Sequence, residues 1–526
     1  MKQQTLKIIY LQIFVLTCSM VSIHHSPQAQ QIDPDALGYY TDALRFSRSQ
    51  SLFGSARVQA MGGVQTAIGG DVSAGTGNPA GLGLFRRSQF SLTPGFGSAN
   101  TNTTFLGGNN IDSKLNVNLN GFGLVLTKLK DDILPDKWRG GSFAITFQRT
   151  NNFQNQFSYE GINTQNSLGD YLAESALGID RNSLFVSTDS IFNLQELAFN
   201  TFLIDEYADA PGEYYTLTRD SNNELLGNML QQEVVNTRGA QYQWNFAYGG
   251  NYDDKFYFGV GMGIKTLNFR QKKEFKETVQ YEGSSIPSLL DFTVIDELEV
   301  KGTGVNFSLG LMYRPVDFIR IGVSATTPTF YALTENFKTS INANFDNFSY
   351  QGVILNNENL ETVPGTFNYT LTTPYKVNAG IAVFFGKKGF ISGDVELNAF
   401  DKARLSGGND SFTFNRDNKT IQSIYKTTLN IKLGGEYRLN RLLRLRAGAA
   451  FFDDPYNNVD NIDRTILHFT GGLGIRPAPG ISIDLAVVNT RFNSAYVPYT
   501  LANGENPTTT TTNSFTSAVI TAGFSF

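Results

Sequence analysis

The sequence predicts an all-β protein, a transmembrane antiparallel β-barrel of about 14 strands with an N-terminal plug in its lumen. Three observations predict it. After residue 85 apolar residues recur at every second position. The connections between those runs alternate between short and long. The chain ends Ala522-Gly-Phe-Ser-Phe526 on an amphipathic last run, which resembles the signal read by barrel-insertion machinery.

Composition narrows the class first. The 526 residues carry 42 Lys and Arg against 47 Asp and Glu, a net charge of −5. A nucleic-acid binder would be basic, so no nucleic-acid partner is expected. Aromatic residues make up 13%, with 42 Phe and 23 Tyr, whereas disordered chains are poor in aromatics. One cysteine, Cys18, cannot form a bridge within the chain.

Residues 1–29 read as a secretory signal peptide. Lys2 and Lys7 precede a mostly apolar run from Ile8 to Val21, and the small residue Ala29 follows. Cys18 raises a lipoprotein signal, but Thr17 before it is bulkier than such sites prefer. Pro27 leaves the cleavage site open. Without this segment the chain has no cysteine and one histidine, His468. No later stretch has the roughly 20 apolar residues of a membrane helix.

Residues 30–86 are rich in glycine and alanine but hold Val58, Met61, Val64, Ile68 and Leu82, which a flexible linker does not need. Parity puts both barrel ends on the short-turn side, the periplasm. The segment is therefore expected to fold up into the lumen as a hatch.

Residues 87–526 form the barrel. Ile481, Ile483, Leu485 and Val487 alternate with Ser482, Asp484 and Ala486. Val305, Phe307, Leu309 and Leu311 alternate with Asn306, Ser308 and Gly310. Successive strand side chains face opposite ways, so one face is apolar and the other carries charges and glycines. Strands are read near 87–95, 115–128, 140–151, 240–250, 256–269, 298–313, 317–328, 368–385, 387–401, 425–438, 442–453, 464–476, 480–493 and 514–526. Tight turns near 251–255, 315–316, 386, 439–441 and 477–479 alternate with long connections at 96–114, 152–239, 270–297, 329–367, 402–424, 454–463 and 494–513. Short turns at one rim and long loops at the other mark outer-membrane barrels, and closure leaves no backbone group unpaired in lipid.

One motif carries a resemblance. Arg57, Ala60, Met61, Gly62 and Gly63, then Thr66 and Ala67, then Asn78, Pro79, Ala80 and Gly81, resemble the N-terminal hatch of the long-chain fatty-acid transporter (FadL-type) family of outer membrane proteins. The resemblance implies a hatch plugging a fourteen-stranded barrel. It further implies capture of a hydrophobic, fatty-acid-like molecule by outer loops and its sideways exit into membrane lipid through a gap in the wall. A candidate gap lies in the second strand. Leu115, Val117 and Leu119 switch phase to Phe122, Leu124 and Leu126 across Asn120 and Gly121. A phase switch marks a bulge, with or without an opening.

Other candidates compete with structural readings. Arg320, Arg444, Arg446 and Lys432 share the lumen phase with Asp394, Glu396, Glu436 and Asp484, since a charge facing lipid costs about 2–4 kcal/mol. They would bind a ligand carboxylate or brace the interior as ion pairs. His468 falls in the lumen phase, but a lone histidine cannot build a zinc cluster and gives thin support for haem. No Gly-x-Ser-x-Gly elbow accompanies it, so no enzyme, cofactor or metal is expected. Gly386-Lys387-Lys388 lacks the Ser or Thr of a phosphate loop. The acidic run Asp453 to Asp463 lacks calcium-loop spacing and reads as a solvated loop. In the 152–239 loop, Leu168, Tyr171, Leu172 and Ala176 form one apolar stripe and Leu194, Leu197, Ala198, Phe202 and Leu203 another. They predict a lid, a packed cap, or a docking surface for other outer-membrane proteins. Two functions follow: passive transport of a hydrophobic ligand, or a barrel subunit of an outer-membrane secretion or assembly complex, as in the type IX carriers that resemble the same family.

Overall fold

The computed structural model describes residues 38–130, 136–281, 288–407, 413–457 and 459–526; the expected signal peptide, with Cys18, lies outside them. Among the described residues, 19 hydrogen-bonded segments of one sheet merge into 14 barrel strands. In chain order these are β1 (Gln89–Phe105), β2 (Gly108–Leu129), β3 (Trp138–Asn152, continued by Asn155–Asn163), β4 (Gly227–Tyr252), β5 (Phe256–Tyr281) and β6 (Leu289–Val316). Then come β7 (Ile319–Thr326 and Phe330–Tyr350), β8 (Val353–Glu361, Gly365–Thr372 and Lys376–Phe384) and β9 (Gly389–Ala399 and Arg404–Gly407). β10 (Thr427–Arg438), β11 (Leu443–Phe452), β12 (Ile466–Ala478), β13 (Ile481–Tyr496) and β14 (Thr509–Ser525) complete the wall. β1 pairs with β2 on one side and β14 on the other, Gln89 opposite Ser525, so the barrel closes with both ends on the short-turn rim. All fourteen expected strands are present.

The outward face keeps the period-two pattern. Phe258, Val260 and Met262 on β5 and Phe307, Leu309 and Leu311 on β6 are exposed, a continuous apolar band that only lipid would cover.

The extracellular half differs from the expectation. Segments 96–114 and 329–367, expected as loops, are mostly strand. β1 and β2 run on to a tight turn at Leu106 and Gly107, and β7 and β8 to one at Gln351 and Gly352, all four with positive φ. Two positive φ values in a two-residue turn match the twist of a hairpin. β5 and β6 likewise extend through most of 270–297, and β13 and β14 reach into 494–513. Above the membrane the outward face meets water, so the outward apolar pattern stops while the ladder continues.

The long connection after β3 contains α3 (Leu168–Ala176), α4 (Arg181–Leu184) and α5 (Leu194–Asn200). Ser167 and Asp170 form a capping box at α3. Both apolar stripes are sunk in one core with Phe275, Phe292, Ile341 and Phe345 from the inner faces of β5–β7. The segment is a packed cap over the barrel mouth.

The N-terminal residues run through the lumen. α1 (Tyr39–Ser47) packs Phe46 against Phe153 and Phe269, with ring centroids 5.9 and 5.6 Å away. α2 (Ala56–Gln59) and the 3₁₀ turns Val72–Gly75 and Pro79–Leu84 follow, and the chain then enters β1.

Candidate functional site: the lumenal plug and a side gap

Short polar side chains fold the plug locally. Ser55 accepts from the amide of Val58 to cap α2, and Asp71 accepts from Ser73. The motif residue Asn78 is fully buried. Its Oδ1 accepts from Ala80 at 3.1 Å, and its Nδ2 donates to the Thr66 carbonyl at 2.7 Å and reaches the β6 carbonyl of Leu311 at 3.5 Å. Pro79 opens the second 3₁₀ turn, where its missing N–H costs nothing. Asn78 thus ties two turns of the plug to each other and to the wall.

The wall is shaped to receive the plug. A Cβ at Gly434 would sit 2.1 Å from the Met61 carbonyl, and one at Gly322 would sit 2.0 Å from that of Thr66. At Gly310 it would meet Asn78 Oδ1 at 1.9 Å, and at Gly448 the Gly62 nitrogen at 2.3 Å. These glycines occupy the inward phase of four strands. Ala80 is buried in the same seat, and Gly81 packs against Gly69 and Ala74 within the plug. Gly62 and Gly63 turn with φ of 67° and 80°, a region that side chains resist. The turn is held by Gly62 N donating to Thr470 Oγ1 at 2.9 Å and by Asp394 accepting from the Gln65 and Thr66 amides at 2.8 and 2.9 Å.

The candidate lumenal cations are already engaged. Arg446 donates to Glu436 at 2.8 Å and Asp484 at 2.7 Å, with its side chain fully buried. Arg444 adds a 3.6 Å contact to Glu436. Lys432 donates to Glu396 at 2.8 Å. Arg320 donates to the Ile68 carbonyl and lies over the Phe384 ring. Arg57 of the plug joins this network through Glu436 at 3.3 Å. Burial alone would lower its pKa, but the Glu436, Asp71 and Asp484 carboxylates hold it above the ordinary value. His468 is fully buried, with Nδ1 2.8 Å from Thr490 Oγ1. In the acidic run, Asp454 and Asp460 bind Arg464, which gives them a bracing role in the loop.

The wall itself changes character at the candidate gap. The β1–β2 register slips between Thr93 and Pro94, leaving Asn120 without a partner. The β2–β3 ladder begins at Gly121 opposite Gln148 and runs only toward the short-turn rim, to Leu129 opposite Gly140. Beyond Gln148, β3 pairs with β4 alone, with a second slip between Arg149 and Asn151. Residues 148–151 are buried on both phases, and Asn151 donates to the α1 carbonyl of Arg45 and to that of Arg48 just after it, at 3.3 and 3.1 Å. β3 is therefore bent inward onto the plug. Side chains replace the missing rungs. Asn116 donates to Asn152 at 3.4 Å, and Lys114 donates to Asn236 Oδ1 at 2.7 Å and to the Thr237 and Asn155 carbonyls at 2.8 and 3.3 Å.

A cleft of about 1370 Å³ opens on the outside of this seam and passes Val117, Leu119, Arg149 and Tyr242. A cavity of about 50 Å³ lies inside it against Ser51 and Leu52 of the plug. Asn116 and Gln154 line both. Sequence phase located the bulge at Asn120. It did not single out Arg149, Lys114 or Asn152, because nothing local distinguishes them from other strand polar residues.

Comparison with known proteins gives the same architecture. The sequence profile of a family described as outer membrane protein transport protein (OMPP1/FadL/TodX) matches residues 215–526. No curated protein matches the sequence. The crystal structure of the Pseudomonas putida toluene transporter TodX superposes with a TM-score of 0.50 at 14% identity, over 91% of this chain and 100% of that one. That of a Pseudomonas aeruginosa FadL homologue superposes with a TM-score of 0.52 at 12% identity, over 91% and 98%. At such identities the likeness is one of fold.

Proposed function

The chain belongs to the outer membrane protein transport protein family (OMPP1/FadL/TodX), outer-membrane β-barrels, and on that premise we propose that it delivers a small hydrophobic molecule sideways through the gap between β2 and β3. The observation that carries this reading is the ladder that stops at Gly121 and Gln148, with a cleft outside it and the plug inside it. A molecule leaving there enters membrane lipid and avoids the aqueous periplasm.

The plug acts as the gate in this scheme. The lumenal cavities beside it, about 30 and 50 Å³, hold one or a few waters, so passage requires the plug to shift. The glycine seat and the Arg57–Glu436 pair set the cost of that shift. The motif residues Arg57, Met61, Gly62, Gly63, Asn78, Pro79, Ala80 and Gly81 hold the closed state. The toluene cargo of the Pseudomonas putida neighbour and a fatty-acid-like cargo are both within this class.

The test is uptake of a labelled hydrophobe, toluene in one arm and a long-chain fatty acid in the other, by cells with and without the protein. Loss of either uptake in the deletion supports the reading; equal uptake of both removes it. The ion-paired lumen and the packed cap favour a second reading, a subunit of an outer-membrane secretion complex. Gentle extraction and native mass spectrometry separate the two: a monomer with a small hydrophobic adduct for transport, co-extracted protein partners without one for the complex.

A further inference from the structure

The gap carries positive charge that no carboxylate among the described residues neutralises. Arg149 is 8% exposed, and among the described residues its one side-chain hydrogen bond goes to the amide oxygen of Asn152. Its Nε is buried without a partner. Lys114, on the inward phase of β2, meets two carbonyls and one amide. Among the described residues, neither has a carboxylate in ion-pair range. Elsewhere in the barrel the buried cations Arg446 and Lys432 are matched to acids, and Arg320 is held by a plug carbonyl and an aromatic ring. A guanidinium removed from water without a counter-ion is costly unless something else supplies the charge.

The surroundings indicate what that something is. The amides of Asn116, Asn118, Asn152 and Gln154 add donors at the same seam, and Val117, Leu119 and Tyr242 supply apolar surface in the cleft next to it. Planar guanidinium is well suited to two-oxygen anions. We infer that the β2–β3 gap is a binding site for the anionic head, carboxylate or phosphate, of an amphiphile whose tail lies in the outer cleft. The site rests on the sideways-exit reading for its role in transport but binds its ligand whether or not transport occurs. The head comes from a carried carboxylate or from a phosphate of a surrounding membrane lipid.

Calorimetric titration separates these sources. Decanoate and decanol, equal in tail length, are titrated into the purified protein in neutral detergent. Decanoate is expected to bind about tenfold more tightly than decanol, as a charge-assisted bond confers. Arg149→Gln is expected to abolish that preference and Arg149→Lys to retain part of it. Asn116→Asp, which places a carboxylate in the gap, is expected to abolish it too and guards against a misfolded Arg149 variant. In a second arm, protein in phosphatidylglycerol nanodiscs is released for native mass spectrometry. Retained phosphatidylglycerol that Arg149→Gln loses assigns the site to a lipid phosphate. If Arg149→Gln and Asn116→Asp match the wild type in both arms, the inference is overturned. Uptake of neutral toluene in Arg149→Gln reports on transport separately, so the two readings fail independently.

Discussion

Replacing Gly434 by alanine unseats the plug while sparing the barrel. The new Cβ would lie 2.1 Å from the Met61 carbonyl oxygen, against an ordinary contact of 3.4 Å or more, so the turn must retreat by about 1 Å. β10 is laddered on both sides, to β9 and β11, and the plug turn is held by fewer bonds, so the turn gives way. Retreat stretches the 2.9 Å bond from Gly62 to Thr470 and loosens Met61, which is 1% exposed. Overpacking of this kind costs about 1–3 kcal/mol. If that cost falls on the closed state, the unseated population rises about 5- to 150-fold. Ion conductance through single barrels in planar bilayers reads it directly. Gly471→Ala is the control, since its Cβ meets only the Arg446 carbonyl at 3.9 Å. Conductance of Gly434→Ala indistinguishable from both wild type and Gly471→Ala would refute the glycine-seat account.

Three further outcomes are expected. Arg446→Leu removes the buried hydrogen bonds to Glu436 and Asp484, which keep Arg57, Arg444 and Arg476 as partners, a loss of about 1.5–3 kcal/mol that a lowered unfolding temperature in heat-shift gels will register. Leu172→Ala empties a fully buried position in the cap core, costing about 2–5 kcal/mol. Limited proteolysis between α3 and α5 should accelerate while the barrel's heat-shift behaviour stays unchanged. Lys114→Met removes three hydrogen bonds across the seam and should raise the uptake rate of a neutral hydrophobe with no change in strand content by circular dichroism.

The membrane half of this protein is legible because lipid imposes a rule on every strand: apolar residues outward at each second position. Val305 to Leu311 and Ile481 to Val487 obey it. Where β1 and β2 rise above the membrane, residues such as Asn100, Asn102 and Thr104 face water, the rule lapses, and strand reads as loop. The lumen phase of Arg320, Lys432, Arg444 and Arg446 followed from the same alternation, but their partners did not. Pairing depends on which strands are neighbours and on how far each side chain reaches. The plug motif was visible, whereas its seat was not. Gly310, Gly322, Gly434 and Gly448 lie far apart in sequence and become one surface only when the wall curves round the plug. The bulge at Asn120 left a trace as a phase switch, while the inward bend of β3 left none, because Gln148 to Asn151 are polar on both phases and alternate with nothing.

A cross-link over the gap tests the central claim most directly. Asn116 and Asn152 touch across the seam at 3.4 Å, and the sole natural cysteine, Cys18, falls in the expected signal peptide, so Asn116→Cys with Asn152→Cys gives a single reducible pair. Uptake of a labelled hydrophobe should cease when the pair is oxidised, with the bond verified by mass, and return on reduction. Uptake that continues at the wild-type rate through a fully locked seam would contradict sideways exit between β2 and β3.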